Sequence, residues 1–188
     1  FEMLTASYFY KAAQYPENIN LVESGLFFRF DATNILKKNL ASVITSISKD
    51  HLDWLPKNEQ TIEKIVFEKT SSLLESTIIV AKQNSNNTLN YIKKNISLNK
   101  SKKIFFHEDF SFLNNENTFI YYEKNKDDLK LPKPNIRGQY QLENISTAIA
   151  TLRTLNLGIE NSHIKNGIQK INNVARLQEI KSGKLKNL

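Results

Sequence analysis

The chain of 188 residues has no cysteine. Disulfides and thiolate metal sites are therefore excluded, and a cytoplasmic setting is expected. No stretch approaches the roughly 20 consecutive apolar residues that a membrane helix needs, and the opening FEMLTAS lacks the basic, apolar and small-residue order of a signal peptide. No segment fits G-x-x-x-x-G-K-[ST], since the single Gly-Lys pair, Gly183-Lys184, runs into Leu185 without the upstream glycine. Such a loop supplies the backbone amides and the lysine that cradle β- and γ-phosphates. Arginine is scarce, confined to Arg29, Arg137, Arg153 and Arg176. The formal net charge of +7 is thus almost wholly lysine, whereas base and phosphate readers favour the planar fork of arginine. The acid-free stretch 82–103 reads as the solvated face of a helix and a loop, so no nucleic-acid partner is expected, and no membrane partner either.

What is present reads as alternating strands and helices. Residues 1–14 carry Phe1, Leu4, Tyr8 and Ala12 at helical spacing, and Pro16 ends the segment. The apolar runs INLVES (19–24), SVITSI (42–47), TIIVAK (77–82) and KIFFHE (103–108) predict buried parallel strands. Helices are predicted across 58–74 and 87–96. From 110 the period changes to alternation in FSFL, TFIYYE and DLKLP, which predicts a small antiparallel meander. Helices at 139–157, closed by Gly158, and at 160–171 follow, before a lysine-rich tail. The expected fold class is α/β, a doubly wound, mostly parallel sheet with helices on both faces and an appended antiparallel β-meander. The predicted domain spans residues 1–175, with 176–188 as a linker.

Open α/β sheets bind ligands beyond the carboxyl ends of their strands, and two polar groups fall there. One is Glu23 with the loop behind it in LVESGLFFRFDATN, where Arg29, Asp31, Thr33 and Asn34 surround Phe27 and Phe28. The other is Ser48, Asp50, His51 and Asp53 in SKDHLDWL. An acid and a histidine at adjacent strand ends suit Mg²⁺ completed by water and phosphate oxygens, though a cap and an exposed loop histidine would look the same. Lys69, taken alone, is a solvated lysine paired with a neighbouring glutamate such as Glu68. Arg137, Gly138, Gln141 and Asn144 stand at a strand-to-helix turn, where they either meet an anion or cap the helix.

In order along the chain, FEMLTA, LVESGLFFRFDATN, VITSISKDHLDWL, FEKTSS, IRGQYQLEN and VARLQ resemble the motifs of the dihydrofolate synthase/folylpolyglutamate synthase family, a branch of the Mur ligases. The D-A-T-N and D-H segments carry most of that resemblance, which runs over residues 1–180. It implies the central domain of a Mur-type ligase that uses ATP to phosphorylate a pteroate or folate carboxylate and then joins it to L-glutamate. By position it implies Glu23 and His51 as Mg²⁺ ligands and Lys69 as a carbamylated lysine that supports the metal. It further implies Asn144 and Arg176 as ATP contacts, and Phe1, Glu2, Phe30 and Asp31 as pteroate-binding residues. The small-molecule partners would be dihydropteroate or folate, L-glutamate and ATP, bound by a monomer.

The same resemblance places the phosphate loop ahead of Phe1 and a further domain beyond Arg176, so those segments are expected partners. Within the motifs, Phe27-Phe28 stands for a glycine pair, Ser71-Ser72 for Gly-Ile, Tyr140 for histidine and Ala175 for glycine. Three readings stay open on the sequence: a ligase part inactive by itself, a non-catalytic remnant, and a pteroate-binding module.

Overall fold

A computed structural model describes residues 1–134, 136 and 138–171. Helix α1 is Glu2–Ala12, followed by strand β1 (Ala41–Ile44), helix α2 (Ile62–Thr70), strand β2 (Thr77–Val80), helix α3 (Asn86–Asn95) and strand β3 (Lys103–Phe105). Strands β4 (Phe110–Asn114), β5 (Thr118–Glu123) and β6 (Leu129–Pro132) then precede helices α4 (Gln139–Leu155) and α5 (Asn161–Lys170). The described residues divide into two compact units, 1–77 with 83–102, and 78–82 with those from 103 to 171.

In the first unit, α2 starts where Thr61 caps it, its hydroxyl accepting the Lys64 amide proton at 3.2 Å, the usual remedy for an unpaired first-turn donor. Its inner face buries Ile65 and Val66 completely, and Ile92 and Ile96 of the α3 segment are equally dry. Asn95 donates to the Thr70 hydroxyl, and Asn99 donates to the carbonyls of Leu73 and Leu74, both at 3.2 Å. These bonds tie the exit of α3 to the exit of α2. By contrast, α1 buries none of its side chains.

In the second unit, β2 and β3 run parallel, with Ile79 opposite Ile104 and Val80 opposite Phe105. Ile78, Ile79 and Val80 are wholly buried, as expected of a strand covered on both faces. The antiparallel meander is in place, in the order β4-β5-β6. It is packed by aromatics: Phe106 meets Phe110 edge-on at 5.3 Å, and Phe112 stacks on Phe119 at 5.2 Å. Arg153 of α4 donates to Glu123 of β5 at 2.8 Å, and Lys82 pairs with Glu143 of α4 at 2.7 Å. Glu160 and His163 form a reciprocal capping box at the start of α5.

The α/β architecture with a parallel sheet and an appended meander is as the sequence predicts. One strand is not. Residues 19–24 are irregular, and Leu21, read as buried, is 96% exposed. Hydrophobic residues alone do not make a strand: among the described residues no strand pairs with this segment, so apolar side chains in it stay exposed. The residue that closes α4 is Asn156, in the left-handed conformation at φ 49°, two positions before Gly158. Asparagine tolerates that conformation better than most residues.

Candidate functional site

Residues 25–34 have no helix or strand of their own, yet nearly every turn of this loop is held. Asp31 anchors its two ends. The carboxylate accepts the Gly25 amide proton at 2.8 Å, the Thr33 amide proton at 2.9 Å, and a short bond from the Thr33 hydroxyl. Burial pushes this carboxyl up, but the Thr33 and Gly25 donors together outweigh it and hold it below the ordinary aspartate range. Asn34 donates to the Arg29 carbonyl at 3.0 Å and closes the far side. A Cβ added at Gly25 would stand 2.8 Å from Asp31 Oδ2, so the carboxylate that closes the loop would have to shift.

Two successive residues of α2 hold the middle of the loop. The Glu68 carbonyl accepts the amide protons of Phe28 and Arg29, at 3.1 and 3.0 Å. Its carboxylate, 7% exposed, accepts two bonds from the Arg29 guanidinium and pairs with Lys64 at 3.2 Å. Burial again pushes the Glu68 carboxyl up, and the hydrogen bonds from Arg29 and Lys64 bring it below its ordinary value. The next residue, Lys69, donates from Nζ to the Leu26 carbonyl at 2.6 Å. Lys69 is thus not the solvated partner of a glutamate: Glu68 is occupied by Arg29 and Lys64, and the Lys69 ammonium is turned toward the loop. Its burial lowers its pKa, and the Asp50 charge offsets this in part.

Phe27 lies over this ammonium, with Nζ 5.5 Å from the ring centroid. The same ring meets His51 edge-on at 6.4 Å. His51 holds a left-handed backbone at φ 57°, opening a 3-10 turn over Leu52–Trp54, and its Nε2 stands 3.1 Å from Asp50 Oδ2. The structure therefore gathers His51, Asp50 and Lys69 around Phe27, with Asp31 in the loop alongside. Other expected residues stand apart. Glu23 is exposed on irregular chain and makes no ion pair among the described residues. Phe1 and Glu2 are exposed at the start of α1, and Phe30 is 83% exposed with the Arg29 guanidinium stacked 4.3 Å from its centroid. Asn144 is exposed on α4 in the second unit. Arg176 lies outside the described residues, as does Arg137.

Among the described residues no group of three or more His, Asp or Glu is arranged to hold a metal ion. The His51 imidazole has one carboxylate against it, that of Asp50 at 3.1 Å, so a cation held there would have to complete its shell with waters and phosphate oxygens, as Mg²⁺ commonly does. Sequence reading missed the Arg29–Glu68 pair. The i,i+4 spacing of Lys64 and Glu68 was a visible signal, whereas nothing local announces a partner 39 residues away.

No family model matches the chain. It is 30% identical over 193 residues to the dihydrofolate synthase/folylpolyglutamate synthase of Haemophilus influenzae, taking in 100% of this chain and 40% of that protein. Among solved structures, the folylpolyglutamate synthase of Thermotoga maritima matches with a TM-score of 0.78 at 25% identity, over 96% of this chain and 41% of that one. Escherichia coli FolC, in complex with DHPP and ADP, matches with a TM-score of 0.66 at 26% identity, over 84% of this chain and 36% of that one. The chain spans less than half the length of the proteins it matches.

Proposed function

Because the chain belongs to the dihydrofolate synthase/folylpolyglutamate synthase family, we propose that it serves the ATP-dependent joining of L-glutamate to a pteroate or folate carboxylate. In that reaction the γ-phosphoryl group of ATP passes to the carboxylate and ADP leaves. The glutamate amine then attacks the acyl phosphate, the amide bond forms, and phosphate and a proton are released. The observation that carries the reading is the loop at 25–34, tied down by Asp31, Glu68 and Lys69. A backbone held at this many points has little conformational freedom left to lose on binding, which suits a loop that has to keep a reacting carboxylate in one place.

Within this reading Phe30 and Asp31, with Phe1 and Glu2, contact the pteroate, and Asn144 and Arg176 contact ATP. Glu23 and His51 would hold Mg²⁺, and Lys69, carbamylated, would add a carboxylate beside it. Bound there, the ion would neutralise charge on the transferring phosphoryl group. Burial of Lys69 favours the neutral amine that carbamylation needs. Phosphoryl transfer in this reading needs a phosphate-cradling loop, so the assay is to be run with a polypeptide that bears a G-x-x-x-x-G-K-[ST] segment, which residues 1–188 do not contain.

The loop at 25–34, held by Asp31, Glu68 and Lys69, also favours a second reading, a module that binds pteroate without ATP chemistry. Calorimetry with 7,8-dihydropteroate, with and without MgATP, tests both. Heat of binding that Asp31→Ala removes supports the pteroate site, and glutamate-dependent ADP release on adding a loop-bearing segment supports the ligase. Absence of pteroate binding at millimolar concentration would remove both readings.

A further inference from the structure

The Phe27 ring touches both the Lys69 amine and the His51 imidazole of the first unit. It lies 5.5 Å from Lys69 Nζ and 6.4 Å, edge-on, from His51. On its other side the Lys69 amine is held by the Leu26 carbonyl at 2.6 Å. Consecutive residues, Leu26 through its backbone and Phe27 through its ring, therefore cover two sides of one half-buried amine. The main chain that carries the ring is held in place, because the Phe28 and Arg29 amides are bonded to the Glu68 carbonyl. His51 is equally fixed, by its left-handed backbone and its pairing with Asp50.

We propose that Phe27 is a screening residue, whose ring sets how readily small solutes reach the Lys69 amine from the side of His51. The solute that matters is of one chemical class, a small electrophile with the size of carbon dioxide. When the amine attacks it, the N–C bond forms, one C–O π bond opens to an oxyanion, and the nitrogen releases one proton, leaving a carbamate. The importance of the screen rests on the reading of Lys69 given above, while its existence rests on the ring and its two contacts.

The test is trace acetylation of the intact chain with acetic anhydride, reading each lysine by peptide mass spectrometry. The rate at Lys69 is divided by that at Lys37, exposed in the same unit. Phe27→Ala is expected to raise this ratio on the order of fivefold, the loss of one ordinary cation–π contact together with its cover. Phe27→Leu, which keeps most of the bulk, is expected to stay within about twofold of the wild-type chain. Phe27→Val falls between and keeps the series readable if the alanine variant loses its cooperative thermal transition. A flat ratio across the series, or leucine labelled as fast as alanine, would overturn the screen. Labelling needs neither ATP nor metal, so it stands apart from the ligase reading. Conversely, ¹³C-bicarbonate NMR without a carbamate signal in wild type and Phe27→Ala would remove the proposed modification of Lys69 and leave the screen intact.

Discussion

Arg29 and Glu68, 39 residues apart in the chain, meet in a two-point ion pair, Nε to Oε2 at 2.8 Å and Nη2 to Oε1 at 2.9 Å. The pair joins an irregular loop to a helix, and the Glu68 backbone carbonyl reinforces it by accepting two loop amides. Bidentate geometry makes this the strong form of a charged hydrogen bond.

Removing one partner leaves the other without compensation. Glu68→Ala strands Arg29, while Lys64 keeps its pair with Glu59 at 2.8 Å, and a fully buried pair broken this way costs about 3–5 kcal/mol. Arg29 is one-third exposed, so water takes up part of that loss, and about 1–3 kcal/mol is expected. Urea unfolding checks it. Arg29→Ala should cost a similar amount, and the double variant should fall well short of the sum.

Stability should depend on acid through the same residue. The Glu68 and Asp31 carboxyls both lie below their ordinary values in the folded chain. For a depressed carboxyl, the stabilisation is complete above the unfolded pKa and is lost as pH falls through the folded one. Unfolding free energy should therefore decline below about pH 4, and Glu68→Gln should make that decline shallower. Urea titrations across the acid range measure both slopes.

For Lys69 the sign reverses in origin but not in direction. Burial holds its folded pKa below that of the unfolded chain, so the unfolded state binds more protons between the two values. Stability contributed by this group rises with pH across that window and levels off near the ordinary lysine value of about 10. Lys69→Met should flatten the alkaline limb of a plot of thermal midpoint against pH.

Two glycines give opposite expectations. Gly25→Ala would place its Cβ 2.8 Å from Asp31 Oδ2 and force apart the bond that closes the loop. A loss of about 1–3 kcal/mol is expected. Gly167→Ala, on α5 with no atom within 4 Å of the added carbon, should gain roughly 0.5–1 kcal/mol. Thermal denaturation of the two variants side by side checks both signs.

Much of this was legible in residue order. Periods of two and near 3.6 located β5, α2 and α4, because each buries one face along its length. The segment at Leu21 misled because an apolar composition says nothing about whether a partner strand exists. At the site, Asp31, His51 and Lys69 were visible as residue types, and Asp50 beside them. Their arrangement was not, since Lys69 was assigned to a neighbouring acid that in fact serves Arg29. Long-range pairs are set by the path of the whole chain, so no local window contains them.

Because the shape of the loop is stored in α2, and is imposed chiefly through main-chain atoms at Leu26, Phe28 and Arg29, the outward side chains carry little responsibility for it. A position such as Phe30, 83% exposed, is in this sense interchangeable surface, mounted on a fixed frame. A lineage can alter what such positions recognise by single substitutions without refolding anything. A one-residue insertion in α2 ahead of Glu68 is another matter: it would rotate both anchors by about 100° and unfasten the frame at once.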